Sequence, residues 1–499
     1  MGSGGTPGGR RDAGRPWRER PPLHPDITYD AVVVVPGLMG SELRDAADGR
    51  LLWGLSPRLL EQVWRDPSAL RHLHLTPEER TGNVGRVRAT ALLRVPAWAP
   101  VLQGLEPYGA LLRTAGDAVA DPRAVLAFPY DWRLPVEHNG SLLAQAARRH
   151  LDSWLAAVEA DPALRGSLER APRLVFLAHS MGGLVTWAAL EHDPGLVPDV
   201  RTAITLGTPF LGSPKAVLVL NGDRRSRLPD RLLQRFQALA ATLPGVHDLL
   251  PDFRCVDTGL EVVRLDPPTV RALGGDEELA AATITRQARM RSPGAVRVPD
   301  HRAVVGIAQE TVQSIRMTDA VATGQYESFL AHADGRLRRD AHGIPERRNR
   351  QGDGTVHRDA AHTGPARPVY FPVQHGALAG NASVLKYVHA VLTEYDDSTG
   401  PPLGQGELGL TVPDEGVTAG EPWTVHVSGR TAPAGVSCVL VDAESGRQVA
   451  RARLAAHGDG LAATVTAPVP GLFRVVVAAG GIAPLTQLVL ARVPENTTG

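Results

Sequence analysis

Two residue types are nearly missing from this sequence: cysteine and lysine. Only Cys255 and Cys438 occur among 499 residues, far apart along the chain. A disulfide framework and a cysteine-based metal site are therefore not expected. Lysine stands only at 215 and 386, so arginine carries almost all of the basic charge. Basic and acidic residues number 53 each, for a net charge of zero. A nucleic-acid binder should show a basic excess or stripe, so nucleic acid is not an expected partner. No apolar run reaches the roughly 18–20 residues of a membrane span. Residues 1–27 are rich in Gly, Arg and Pro, and Arg10-Arg11 is not followed by an apolar stretch. Neither a Sec nor a twin-arginine signal is expected. The segment reads as a disordered tail, and the chain as cytoplasmic.

What is present is a core-forming chain, 43% hydrophobic. Ala31-Val32-Val33-Val34-Val35 is a short apolar run closed by Pro36-Gly37. A β-branched run closed by a turn marks a buried strand of parallel type. Similar runs follow at 124–128, 173–178, 202–206, 303–307 and 369–373, with amphipathic stretches such as 142–158 and 184–192 between them. Strands alternating with helices imply a mostly parallel α/β sheet, with its ligand site at the carboxyl ends of the strands. Residues 28–398 are assigned to this unit. Insertions near 51–75 and 218–253 carry apolar faces and read as cap segments, either a lid over the site or a cap packed on its own core. Residues 399–406, within a Gly- and Pro-rich stretch from 392, read as a linker with few contacts across it. Beyond it, 408–412, 423–427, 437–441, 449–454, 461–466, 472–478 and 485–492 are short, mostly alternating runs. They predict an all-β sandwich of immunoglobulin or fibronectin type over 407–495.

The strongest chemical signal is Ala178-His179-Ser180-Met181-Gly182-Gly183 directly after a buried strand. It fits the strand–turn–helix nucleophile elbow, with Ala178 in the first small position. Ser180 would stand at a helix N-terminus, where free N–H groups favour developing negative charge. A serine nucleophile needs a base and an acid, in the chain order Ser, Asp, His for this fold. Asp353, in the tight turn Gly352-Asp353-Gly354-Thr355-Val356, is the expected acid, ahead of Asp340 and Asp359. His375, just past the strand at 369–373, is the expected base, ahead of His357 and His362. Met181, the residue after the nucleophile, should give one oxyanion amide and Leu38, in the turn after the first strand, the other.

These pieces resemble the lecithin:cholesterol acyltransferase family over about residues 28–395. The resemblance is carried in order by Pro36-Gly37-Leu38-Met39-Gly40-Ser41, Phe128-Pro129-Tyr130-Asp131-Trp132-Arg133, the Ser180 motif, Gly207-Thr208-Pro209, Gly352-Asp353-Gly354-Thr355-Val356, and His375 with Asn381. It implies an α/β-hydrolase that moves an acyl chain from a glycerolipid through serine to an alcohol or water. It implies Ser180, Asp353 and His375 as the triad, Leu38 and Met181 as the oxyanion amides, and Asp131 near the acyl site in a supporting role. Neither the leader nor the disulfide of the secreted and lysosomal relatives is expected here, and the sandwich lies outside the family's core.

The reading is thus a serine acyl hydrolase or O-acyltransferase on lipid esters, an α/β-hydrolase with a C-terminal sandwich. It has two rivals, a general carboxylesterase for small soluble esters and a non-catalytic hydrolase-fold binding protein. No metal or organic cofactor is expected. Trp53 and Trp64, in a leucine-rich insertion, are expected to meet lipid and to give peripheral membrane contact. The sandwich is expected to offer a surface to a protein partner.

Overall fold

The computed structural model describes residues 27–493, apart from 55–66, 100–102, 169, 223–229, 260, 333–335, 365, 395–407, 414–415 and 481–483. Residues 1–26 of the proposed tail, the linker and Trp64 lie outside the described residues.

Among the described residues, six strands form the central sheet: β1 (Ala31–Val35), β2 (Val125–Ala127), β3 (Leu174–His179), β4 (Val200–Leu206), β5 (Arg302–Gly306) and β6 (Arg367–Phe371). Their order is β6-β5-β4-β3-β1-β2, and every pairing is parallel. All five residues of β1 and all six of β3 are buried. This explains their unbroken apolar sequence, since a parallel strand covered on both faces has no side to give to water. Helix α1 (Val136–Ala160) packs on α2 (Met181–His192), whose first ten residues are all buried. With Pro36 after β1, Ser180 after β3, Gly207 after β4 and His375 beyond β6, the polar loops gather at the carboxyl edge. This parallel sheet with a serine turn into a buried helix is the α/β-hydrolase fold.

The cap lies mainly between β4 and β5. It contains α3 (Pro214–Asn221), α4 (Asp230–Ala240) and α5 (Glu277–Arg291). Leu239, Leu243 and Leu250 are buried in the same apolar cluster as the sheet, and so are Leu70 and Leu73 of the first insertion. Helix α4 packs against the 3₁₀ turn Pro67–Leu73, so the two insertions meet.

The C-terminal part is a β-sandwich with nine strands among the described residues: β7 (Gly409–Thr411), β8 (Val417–Thr418), β9 (Pro422–Ser428), β10 (Val436–Asp442), β11 (Gln448–Ala452), β12 (Ala455–His457), β13 (Gly460–Thr466), β14 (Gly471–Ala479) and β15 (Leu485–Arg492). One sheet runs β7-β9-β13-β12 and the other β8-β15-β14-β10-β11. In β9 exposure alternates strictly, with Trp423, Val425 and Val427 turned inward. These residues share a second apolar cluster with Leu440, Val475 and Val489. Cys255 and Cys438 are both free and buried.

The expectation of few contacts between sandwich and hydrolase is corrected. Arg474 of β14 pairs with both oxygens of Glu106, at 2.6 Å each. Leu410 of β7 donates its N–H to Gln309 Oε1 at 3.0 Å. Leu233 of the cap packs on Leu472, Leu488 and Leu490. A linker's composition reports the freedom of the connecting chain, not the fit of the surfaces that it joins.

Candidate active site

Ser180 has φ 53° and ψ −126°, the only positive φ in the stretch from β3 into α2. A non-glycine residue is costly there, and such strain persists where surrounding structure holds it. The turn lifts the hydroxyl out of the strand line and starts α2 at the next residue. Ser180 Oγ donates to His375 Nε2 at 2.8 Å. His375 Nδ1 donates to Asp353 Oδ2 at 2.8 Å. Asp353 is buried, and its Oδ1 accepts the N–H groups of Thr355 and Val356 at 2.9 and 2.7 Å. Three residues separated by up to 195 positions thus form one continuous hydrogen-bonded chain.

The competing acids and bases lie apart from it. Asp340 caps its own turn, accepting from His342 and Ile344, and Asp359 pairs with Arg350 on the surface. His357 is buried edge-on to Phe253, and neither ring nitrogen has a hydrogen-bond partner. Burial pushes its pKa down to about 4.

Two glycines make room for this geometry. A Cβ on Gly37 would lie 2.7 Å from Ser180 Cβ, so the turn after β1 is pressed directly against the serine. Gly207 has φ +62°, and a Cβ there would meet Asp353 Oδ2 at 2.9 Å and His375 Nδ1 at 3.1 Å. Leu38 follows Gly37 in a turn closed by Gly40 N–H to Gly37 O at 3.0 Å. Met181 is the first residue of α2, where a backbone N–H has no intrahelical acceptor.

Sequence reasoning passed over the roles of His179 and Tyr108. Tyr108 Oη accepts the Gly37 N–H at 2.8 Å. Its own hydrogen is then free for His179 Nδ1, 2.7 Å away. This leaves His179 Nε2–H to donate to the carbonyl of His375 at 3.0 Å. One buried imidazole therefore ties the turn beside Ser180 to the backbone of His375. Burial, and then the neighbouring His375, push the His179 pKa down to about 3, which keeps the ring neutral. The histidine was visible in the Ser180 motif, but its partners come from loops 71 and 196 positions away.

Next to Leu38 and Met39 lies an apolar groove whose walls include Trp53, Trp132, Leu239 and Leu243. Here the expectation for Trp53 changes. Trp53 is only 3% exposed, its Nε1 donates to Met39 O at 2.8 Å, and its ring meets Trp132 edge-on at 5.6 Å. It is a groove wall and cannot reach a membrane interface. The Asp131 carboxylate is taken up by Arg133, whose Nη2 also reaches Glu79 at 3.0 Å. Asp131 thus holds the loop that presents Trp132 and makes no wall of its own. Among the described residues, no group of three or more His, Cys, Asp or Glu could hold a metal ion. Among them, no helix is long and apolar enough to cross a membrane.

Fold and hydrogen-bonded serine together define an α/β-hydrolase. Within it, residues 114–265 match the family model of lecithin:cholesterol acyltransferase. The matched segment includes the Trp132 loop, the Ser180 elbow and Gly207. No curated protein matches the sequence. Among solved structures, the Tle4–Tli4 complex is similar at 15% identity and TM-score 0.45, covering 74% of this chain and 99% of that one. The mature form of the Bacillus licheniformis lipase BlEst2 gives 13% identity and TM-score 0.33, covering 75% and 96%. Its propeptide form gives 12% and 0.32, covering 95% and 94%.

Proposed function

We propose that the protein is a serine acyl hydrolase or O-acyltransferase acting on lipid esters. The observation that carries this reading is the Ser180–His375–Asp353 chain standing beside an apolar groove. Ser180 attacks the ester carbonyl while His375 takes its proton. Asp353 fixes the His375 tautomer and balances the imidazolium that forms. The oxyanion is held by the amides of Leu38 and Met181, aimed at where charge develops. His375 then returns the proton to the leaving alcohol. Water or an acceptor alcohol, deprotonated by His375, releases the acyl group from the serine. The groove offers the acyl chain an apolar bed, and each buried methylene contributes about 0.8 kcal/mol. A preference for longer acyl chains follows.

A fluorophosphonate probe should label Ser180 in the wild type and leave Ser180→Ala unmarked. The variant should lose on the order of 10⁶ in kcat with its fold intact. Retention of a tenth of the wild-type rate would remove Ser180 as the nucleophile. A kcat/KM that falls with acyl length would make the protein a carboxylesterase for small soluble esters. A wild type that reacts with no probe would leave a binding protein.

A further inference from the structure

His375 lies on a short turn that no long strand or helix holds on both sides. Its position depends on four ties. Its N–H donates to Asp353 O at 2.8 Å, and its carbonyl accepts from His179. The carbonyl of the next residue, Gly376, accepts the Glu106 N–H at 3.0 Å, and Glu106 is clamped by Arg474 of the sandwich. The preceding residue, Gln374, is buried with its amide turned into the sandwich. Its Nε2 donates to Leu410 O at 3.1 Å and to Gln487 Oε1 of β15. Two of the four ties therefore end in the C-terminal domain.

The acid's side shows the same arrangement. Gln309 donates its backbone N–H to Gly352 O at 3.0 Å, one residue before Asp353, and its Oε1 accepts the Leu410 N–H. A single sandwich residue, Leu410, thus spends its N–H on Gln309, which holds the turn of Asp353, and its carbonyl on Gln374, the residue before His375. Gln309, Gln374, Leu410 and Gln487 are all buried. Polar groups so deeply buried are costly unless paired, so the pairing is specific. A sandwich that only decorated the surface would have no need to place its buried polar bonds beside both catalytic loops.

On the reading of the site given above, we propose that the C-terminal sandwich sets the alignment of His375 and Asp353, with Gln487 and Gln374 as positioning residues. The sandwich is then part of the enzyme's catalytic geometry. A misplacement of about 1 Å can cost on the order of 100-fold in rate.

The test uses the full chain. Wild type, Gln487→Ala and Gln487→Glu are compared for kcat and KM on a soluble butyrate ester, for the rate of fluorophosphonate labelling at Ser180, and for Tm. Gln487→Ala should lower kcat and the labelling rate about 10- to 100-fold, with KM within about twofold of wild type. Gln487→Glu keeps the acceptor oxygen and should recover most of the loss. Equal losses in both variants, in step with Tm, would mark a packing role and overturn the proposal. So would wild-type kcat in Gln487→Ala. If Gln487→Ala does not fold, Gln487→Asn, one methylene shorter, asks the same question: lower kcat at unchanged KM supports the proposal, and unchanged kcat overturns it. A wild type unlabelled at Ser180 overturns the catalytic reading and this inference with it. Normal labelling of both wild type and Gln487→Ala overturns the inference alone.

Discussion

At the scale of single residues, the chain's buried histidines carry a measurable consequence. His179, His301 and His357 are buried, and burial pushes their pKa values down to about 3, 4 and 4. Below the usual histidine pKa near 6.5, the unfolded chain takes up protons that the folded one refuses. Stability from these groups is complete above about pH 6.5 and is lost as the pH falls toward 4. The loss runs at roughly 1.4 kcal/mol per pH unit for each histidine. Tm should fall steeply below pH 6. His357 is the cleanest probe, because its ring nitrogens bond to nothing and it lies edge-on to Phe253. His357→Phe should keep Tm at pH 8 close to wild type and flatten the acid slope. An unchanged slope in pH-dependent calorimetry would remove His357 from this account. Trp53 gives a second prediction. Because it is buried between Met39 and Trp132, Trp53→Ser should cost about 3–5 kcal/mol. Turnover on vesicles and on a soluble ester should fall together with Tm, whereas a lipid-docking tryptophan would spare the soluble ester.

At the scale of elements, the turn after β1 and the Trp132 loop decide how the groove meets Ser180. Gly37 touches Ser180 through space that no side chain can share. On the proposed function, Gly37→Ala should lower kcat by about 100-fold or more, since the turn carrying Leu38 must retreat from the serine. Circular dichroism should show the fold retained. The Trp132 loop is held from beneath by Arg133, which is fully buried between Asp131 and Glu79. Removing one member of such a network strands the others. Arg133→Met should cost about 3–5 kcal/mol, readable as a lowered denaturation midpoint. The elements themselves were largely legible. The valine run of β1 and the small residues around Ser180 announce their places, because continuous burial and close backbone approach leave few residue types that fit. The roles of Tyr108, Gln374 and Arg133 were not legible, because each is defined by partners that only folding brings near.

At the scale of the whole molecule, hydrolase and sandwich share a buried polar seam through Glu106–Arg474, Gln309–Leu410 and Gln374–Gln487. A chain ending at Asp397 would leave Gln374 and Glu106 without these partners and uncover Leu233 of the cap. It should express with lowered Tm, a tendency to aggregate, and slower serine labelling than the full chain. Equal Tm and labelling in the two chains would show the domains to be independent. The sequence by itself determined the local matters: an alternating α/β order, a tight turn carrying Ser180 from strand into helix, and a sandwich, with an acid and a base expected after the serine. Hydrophobic periodicity and turn chemistry are properties of neighbouring residues, and neighbours are what a sequence displays. Only the tertiary structure decided that Trp53 walls a groove instead of meeting a membrane, and that Asp131 serves Arg133. Only it decided that His179 binds the backbone of His375 and that the sandwich reaches the loops carrying Asp353 and His375. Those outcomes depend on which distant surfaces meet and which buried polar groups must find partners there. Contacts of that kind are fixed by packing in three dimensions.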